Sequence, residues 1–166
     1  MRVLPIAAAL GLVAATFATS AGTQVPDAQL NPLSVQWLKA GEAALAAGEF
    51  QAADDALETA LVIDPRNRQA FVALARVALR QKLYGQAIRF TNRALALEPN
   101  DTVALGVQGE AMVELGAAAR AQQNLARIKS ICGSNPCAPA TTLASVIQRG
   151  PAMAVRAQPA TAPKKN

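Results

Sequence analysis

The chain has 166 residues, of which 52% are hydrophobic but only 4% aromatic, and a net charge of +5. Alanine supplies much of the apolar content, and because alanine favours helices whereas strands need β-branched and aromatic residues, the composition predicts an all-α fold. The absence of histidine excludes a Ser–His–Asp triad and a C-x-x-C-H haem site, and no glycine-rich phosphate loop is present. We therefore expect no enzymatic activity, no cofactor and no metal site.

The N-terminal residues resemble a secretory signal peptide. Arg2 is followed by an uncharged, mostly apolar run from Val3 to Ala18, and Thr19 and Ala21 are small residues at the −3 and −1 positions of a cleavage site. A retained membrane anchor is the alternative, but the run is shorter than the roughly 20 residues that a spanning helix needs. Residues 1–21 are thus predicted to be a signal peptide, residues 22–33 a lead-in, and the protein is predicted to be exported to the periplasm.

Two similar octamers lie 34 residues apart, "ALVIDPRN" at 60–67 and "ALALEPND" at 94–101. The same spacing recurs on both sides of them. Bulky residues stand at Trp37, Phe71 and Leu105, small residues at Gly41, Ala75 and Gly109, and alanines at Ala53, Ala87 and Ala121. A fixed period of this length indicates stacked supersecondary units.

This register resembles the tetratricopeptide repeat, a helix–turn–helix unit with the pattern W-x2-L-G-x2-Y…A…F…A…P. The units would span residues 34–67, 68–101 and 102–135. Unit two departs from the pattern at Thr91, and unit three is matched mainly on register, since Ile128 and Gly133 replace its alanine and proline. The resemblance implies a short right-handed α-solenoid of about three units, which would need capping elements at its ends.

Capping residues, a proline and turn glycines predict where the helices begin and end. Asn31, Asn67 and Asp101 are N-cap residue types ahead of the first helices of the three units, and Pro32 suits the first helical position. Glycines at the predicted turns between paired helices would adopt left-handed backbone conformations; they are Gly48, Gly85 and Gly116. We expect Trp37 to lie in the core.

The C-terminal third carries both cysteines, Cys132 and Cys137, in "CGSNPC". In an exported protein this spacing favours a structural disulfide, whereas a redox pair is more typically C-x-x-C and a zinc site needs four ligands. Residues 136–149 are predicted to form a capping helix, with Leu143, Val146 and Ile147 at helical spacing. Residues 150–166 are predicted to be a disordered basic tail.

The charge is distributed unevenly, because residues 115–166 contain seven basic side chains and no acidic one. A solvated surface and tail would account for this excess, and attraction to an anionic membrane surface is the functional alternative. Exported proteins do not ordinarily meet DNA, so we expect no nucleic-acid partner.

The resemblance implies a partner-binding concave face formed by the first helix of each unit. The residues predicted to face a protein or peptide ligand there are Leu38, Glu42, Gln69, Val72, Arg76, Glu110 and Val113. Glu42, Arg76 and Glu110 share the ninth position of their units, so they are expected to align as an acid–base–acid row, either as salt bridges between repeats or as a site. The Lys and Asn residues with which some family members clamp a C-terminal carboxylate are absent, since Leu38 and Glu42 stand where the first Lys and Asn would be.

Together these features predict a non-enzymatic protein-interaction scaffold of the bacterial envelope. The alternative is an envelope structural or assembly protein that docks to an anionic membrane surface through its basic C-terminal tail.

Overall fold

The computed structural model describes residues 29–152, so the predicted signal peptide, residues 22–28 of the lead-in and residues 153–166 of the predicted tail lie outside the described residues. This part of the chain forms seven α-helices and no strand. The helices are α1 (Pro32–Ala47), α2 (Phe50–Ile63), α3 (Arg68–Arg80), α4 (Tyr84–Leu97), α5 (Thr102–Glu114), α6 (Ala118–Cys132) and α7 (Ala138–Arg149). Among the described helices, none combines the length and apolar character required to span a membrane.

The helices pair in chain order as three hairpins, α1 with α2, α3 with α4, and α5 with α6. Each new hairpin packs on the one before it through α2 and α3, and then through α4 and α5. Helix α7 packs against both α5 and α6 and closes the C-terminal end of the stack. The predicted fold class, an all-α solenoid of three helix–turn–helix units with a C-terminal capping helix, is confirmed.

The three predicted N-caps are all present. The side chain of Asn31 accepts a hydrogen bond from the backbone N–H of Leu33, that of Asn67 from Ala70, and that of Asp101 from two N–H groups at the start of α5. These bonds satisfy donors that a helix N-terminus leaves without an intrahelical partner.

Asn67, the N-cap residue of α3, also connects the start of that helix to the first hairpin. Its side-chain amide donates to Ser34 Oγ at 2.8 Å, and that hydroxyl donates to the carbonyl oxygen of Ala60 at 2.7 Å. Ser34 and Asn67 are both buried, so the chain of bonds meets the requirement that buried polar groups find partners.

The turns between paired helices depart from the prediction at one place. Gly48 and Gly116 adopt left-handed conformations as expected, with φ of 81° and 77°. Gly85 instead lies in the first turn of α4, and the prediction for it was wrong. The left-handed residue of this turn is Lys82 (φ 63°), which stands 34 residues from both Gly48 and Gly116. Turn geometry therefore follows the repeat register even where the residue is not glycine.

Close helix contacts explain two of the small residues in the repeat. A Cβ atom on Gly41 would lie 2.5 Å from Cγ of Leu57, and a Cβ atom on Gly109 would lie 2.6 Å from a methyl group of Leu143. Any larger side chain would overlap these buried leucines. Gly41 thus brings α1 and α2 together, and Gly109 lets the capping helix α7 pack against α5.

Unit two uses a different pair at the same register positions as Gly41 and Leu57, namely Ala75 and Thr91. Thr91 is fully buried, and its hydroxyl lies 3.0 Å from the backbone carbonyl oxygens of Ala87 and Ile88. A smaller residue on α4 thus accompanies a larger residue on α3, and the hydroxyl is satisfied within its own helix.

Amide side chains link the third unit, which matches the repeat pattern least well. Gln108 Nε2 donates to Asn92 Oδ1 at 2.7 Å, and Asn124 Nδ2 donates to Gln108 Oε1 at 3.0 Å and to the carbonyl oxygen of Leu105 at 3.1 Å. Because Gln108 is buried, this network ties α4, α5 and α6 together through bonds that water cannot easily replace.

Trp37 is not in the core, and that prediction was wrong. Its side chain is 40% exposed, whereas the adjacent Leu38 is 4% exposed and belongs to the core of the first hairpin. Trp37 lies on the first helix, and no preceding hairpin covers that helix within residues 29–152. Phe71 and Leu105, at the same position of the later units, pack against core clusters.

The predicted disulfide between Cys132 and Cys137 is present, with Cα atoms 6.1 Å apart. Cys132 is the last residue of α6 and Cys137 is the N-cap residue of α7. The bond therefore ties the third unit covalently to the start of the capping helix.

Asp64 is expected to make stability depend on pH in the acid range. The Arg66 guanidinium donates to both of its carboxylate oxygens, at 3.0 and 3.1 Å, and with the N–H of Asn31 lowers its pKa to about 2. Because the folded-state pKa is below the unfolded one, the contribution is complete above pH 4 and is lost as the pH falls towards 2. Because solvent screens the charge of exposed Arg66, we expect the free energy of unfolding to fall by about 1 kcal/mol. Urea unfolding at pH 5 and pH 2 should show a larger drop for the wild type than for Asp64→Asn.

Candidate functional site

The inner surface of the solenoid is formed by α1, α3, α5 and α7, and it contains three adjoining cavities of about 400, 210 and 140 Å³. Arg76 and Val103 line both the first and the second cavity, and Leu79 and Glu110 line both the first and the third. Shared residues make the three cavities one continuous depression, which we call the inner groove. It runs from Glu42 on α1 to Arg149 at the end of α7.

Five of the seven predicted partner-binding residues line this groove. They are Glu42, Gln69, Val72, Arg76 and Glu110. Leu38 and Val113 do not line it, because they are 4% and 0% exposed and belong to the hydrophobic core. The prediction was wrong for these two residues, since neighbouring helices cover their side chains. Whether the five groove residues contact a ligand stays a prediction.

The largest cavity has a side that the sequence did not predict. Helix α7 contributes Ala138, Pro139 and Thr142, so the capping helix also forms one side of the groove. Pro139 lies against Gly106 on α5, where a Cβ atom would make an ordinary van der Waals contact with Pro139 Cβ at 3.5 Å. Residues 136–149 fall outside the 34-residue register, and the spacing of their apolar residues indicated only a helix with one buried side.

The charged side chains of the groove do not follow the salt-bridge interpretation of the acid–base–acid row, which was one of its two interpretations. Within residues 29–152, no ion pair joins Glu42, Arg76 and Glu110 to one another. An ion pair instead joins Arg68, at the start of α3, to Asp101, the N-cap residue of α5. Arg76 is exposed and lines both larger cavities, so its guanidinium lies within reach of a ligand in either one.

Glu110 lies half-buried where the largest and smallest cavities meet. Burial raises the pKa of its carboxyl, and the nearby charges of Arg76 and Arg149 offset this only in part. Its ionised form is therefore poorly solvated in the empty groove, because desolvation disfavours a charge unless a partner compensates for it.

Glu114 lies at the end of the groove that is nearest the C-terminus of α7. Burial raises the pKa of Tyr84, and the charge and hydrogen bond of Glu114 add to this effect. The carboxylate also accepts a hydrogen bond from the backbone N–H of Ala152 at 3.1 Å. The chain therefore leaves α7 beside the groove and not on the opposite surface of the solenoid.

Replacing Glu110 by glutamine is expected to make the protein more stable at pH 7. Because the folded-state pKa is raised above its ordinary value, stability is lost as the pH rises through the unfolded-state and then the folded-state pKa. Glutamine resembles the neutral form and avoids that loss. Thermal unfolding followed by circular dichroism should give a higher Tm for Glu110→Gln at pH 7 and equal values at pH 3, where the wild-type carboxyl is protonated. A lower Tm for the variant at pH 7 would contradict the expectation.

In the part of the chain that the structure describes, no group of three or more acidic, cysteine or histidine side chains is arranged to hold a metal ion. The groove instead combines apolar side chains from three helices with acidic and basic groups along its length.

The tetratricopeptide repeat family model matches residues 44–110. Among solved structures, the Sgt2 tetratricopeptide domain from Aspergillus fumigatus is 19% identical, with a TM-score of 0.66 over 82% of this chain and 89% of that one. The first tetratricopeptide domain of Spaghetti (RPAP3), bound to the HSP90 peptide SRMEEVD, is 21% identical, with a TM-score of 0.64 over 70% of this chain and 94% of that one. The type III secretion translocator chaperone SycD from Yersinia enterocolitica is 15% identical, with a TM-score of 0.66 over 72% of this chain and 92% of that one.

A search of curated proteins gave no match. The 34-residue register, the three stacked hairpins and the matching family model agree with one another. Residues 44–110 match the tetratricopeptide repeat family model, and residues 29–152 have the fold of tetratricopeptide repeat domains.

Proposed function

We propose that the protein is a non-enzymatic scaffold that binds an extended segment of a protein or peptide in its inner groove. The observation that carries this proposal is the continuity of the three cavities, which gives a partner one surface across α1, α3, α5 and α7. The HSP90 peptide bound to the similarly folded RPAP3 domain supports the proposal by showing that this fold can hold a peptide.

The groove side chains indicate what such a segment would contain. Val72, Val103 and Val107 provide apolar surface, while Arg76 and Glu110 offer one basic and one acidic group. A ligand that alternates small apolar residues with charged residues of both signs would satisfy these groups. It would not be selected by the carboxylate clamp of some family members, because the residues of that clamp are absent.

A random peptide library tests this proposal without a known partner. Displayed dodecapeptides would be selected against the protein ending at Ala152, and the enriched peptides synthesised and added to ¹⁵N-labelled protein. We expect the largest amide shift changes on α3, α5 and α7 around Arg76, Gly106 and Glu110. Changes confined to the outer helices α2, α4 and α6, or no enrichment of any peptide, would contradict the proposal.

We further propose that the protein acts in the bacterial periplasm. The signal-peptide pattern of residues 1–21 and the disulfide between Cys132 and Cys137 support this location. Mass spectrometry of the protein from osmotic-shock fluid should find a mature N-terminus at Gly22. A chain that keeps Met1 and remains with the cytoplasmic fraction would contradict the proposal.

The alternative function is docking to an anionic membrane surface. Three basic side chains of α6, Arg120, Arg127 and Lys129, are exposed, and residues 153–166 add Arg156, Lys164 and Lys165. Sedimentation with phosphatidylglycerol vesicles, compared with phosphatidylcholine vesicles at two salt concentrations, tests it. Binding that requires the anionic lipid and falls with salt would favour the alternative.

A further inference from the structure

We propose that residues 153–166 of this same chain occupy the inner groove as a ligand in cis, so that an external partner has to displace them. This proposal rests on the proposed function, because it requires a groove that binds extended polypeptide. It identifies the segment that occupies the groove, and it implies that a partner competes with that segment for binding.

The described chain ends beside the inner groove. The backbone N–H of Ala152 donates to Glu114 Oε2 at 3.1 Å. Glu114 and Glu110 both line the smallest cavity, and Glu110 also lines the largest. The described chain therefore ends at one mouth of the groove, so a tail that enters the groove needs no turn around the solenoid.

The charge of residues 153–166 is opposite to that of the acidic groups in the groove. Residues 153–166 contain Arg156, Lys164 and Lys165 and no acidic residue. The groove has acidic groups at both of its ends. These are Glu110 and Glu114 near α7 and Glu42 on α1.

The groove also contains basic groups, which limit where the tail cations can lie. Arg68 is paired with Asp101, while Arg76 and Arg149 act on Glu110 from a distance without an ion pair. Glu110 keeps a raised pKa despite them. A cation beside Glu110 would compensate for the desolvation of its carboxylate, and Glu114 lines the same cavity.

The C-terminal segment is long enough to cross the groove. Packed helices lie about 8–10 Å apart, so the path from α5 past α3 to α1 is about 20 Å. Fourteen extended residues span about 45 Å. Arg156 is four residues beyond Ala152 and matches the acidic groups near α7, while Lys164 and Lys165 can reach Glu42 with chain to spare.

The apolar residues of the tail fit the same path. Met153 and Val155 follow Ala152 closely in the sequence, and the largest cavity offers them apolar surface at Leu79, Val103 and Val107. A tethered segment has an effective concentration in the millimolar range, so even weak binding in cis would reduce the affinity for a partner in trans.

The test compares the mature protein with the same protein ending at Ala152. The seven helices and their cores end before this point, so the truncation removes only residues beyond the described fold. The probe is a fluorescein-labelled peptide with the sequence of residues 153–166, followed by fluorescence anisotropy. The truncated protein is expected to bind the peptide, and the mature protein to bind it at least about tenfold more weakly, because its own tail competes at high effective concentration.

Two sets of variants locate the binding. In the truncated protein, the double variant Glu110→Gln, Glu114→Gln should weaken binding of the tail peptide at least about fivefold, as expected for loss of two opposite charges. Glu58→Gln is the matched control, because Glu58 is exposed on α2 and does not line the groove. In the mature protein, Arg156→Glu with Lys164→Glu and Lys165→Glu should strengthen binding of peptides enriched from the library.

The outcomes separate this proposal from the proposed function. If the truncated protein binds library peptides but not the tail peptide, the groove is a binding site and the cis proposal is wrong. If mature and truncated proteins bind the tail peptide equally, the tail does not occupy the groove and the proposal is also wrong. If the tail peptide binds phosphatidylglycerol vesicles and not the protein, the tail serves the membrane instead. If neither kind of peptide binds, both proposals fail.

Discussion

Replacing Gly41 by alanine is expected to lower the free energy of unfolding by about 1–3 kcal/mol, the usual cost of extra atoms in a well-packed core. The new Cβ would lie 2.5 Å from Cγ of Leu57 and 3.2 Å from the carbonyl oxygen of Ala53. Leu57 is fully buried, so it cannot move aside without disturbing the first hairpin. Urea unfolding followed by circular dichroism measures the loss.

Gly85→Ala is the matched control, because the same chemical change should have the opposite sign there. Gly85 lies in α4 with nothing within 4 Å of its Cβ position. Alanine should therefore stabilise the helix by about 0.5–1 kcal/mol through its lower conformational entropy in the unfolded chain. Equal effects of the two substitutions would show that the α1–α2 contact is not close.

A second-site change should restore part of the stability lost in Gly41→Ala. Unit two carries Ala75 and Thr91 at the positions of Gly41 and Leu57, and the Thr91 hydroxyl bonds the carbonyl oxygen of Ala87. Leu57→Thr should remove the overlap and place a hydroxyl near the equivalent carbonyl of Ala53. The double variant should then be more stable than the sum of the two single effects, and strict additivity would contradict this account.

Arg76→Glu is expected to weaken peptide binding about 10–100-fold, because reversing a charge that contacts a ligand replaces attraction with repulsion. Arg76 lines both larger cavities and is exposed. Peptides enriched on the protein ending at Ala152 provide the ligand, and isothermal titration calorimetry measures the affinity. Arg93→Glu on the exposed side of α4 is the control and should leave the affinity unchanged.

The stability of the Arg76→Glu variant distinguishes a binding role of Arg76 from a structural one. Among the described residues, Arg76 forms no ion pair with Glu42 or Glu110, so the variant breaks no direct pair. The lost attraction of Arg76 for half-buried Glu110 should cost about 1 kcal/mol, the scale of a partly exposed charge interaction. The variant should keep its full helical signal at temperatures where binding is lost. Unchanged affinity in a folded Arg76→Glu protein would remove the inner groove from the proposed function.

The repeat register, read from sequence, determined most of the local architecture. Alanine-rich segments with caps at Asn31, Asn67 and Asp101 became helices that begin where these residues predict. These features depend on residues close together in the chain, since a cap and its first turn are separated by only two or three positions. The same register also singled out first-helix residues of which five line the groove, namely Glu42, Gln69, Val72, Arg76 and Glu110; that they bind a partner stays a prediction.

The exceptions all depend on what packs from elsewhere in the chain. Trp37 is exposed because no hairpin precedes α1 among the described residues, and Val113 is buried because the third-unit core that α7 helps to build covers it. Lys82 takes the left-handed turn position although it is not glycine, at the same place in the repeat as Gly48 and Gly116.

The side of the groove formed by α7 was the largest feature that only the tertiary structure decided. Residues 136–149 do not repeat the 34-residue register, so the sequence indicated a capping helix but not its placement. That placement follows from the space that Gly109 leaves for Leu143, where a Cβ atom would lie 2.6 Å from a leucine methyl group. Helix formation is a local property of the chain, whereas the shape of a cavity depends on the relative positions of helices that lie far apart in sequence.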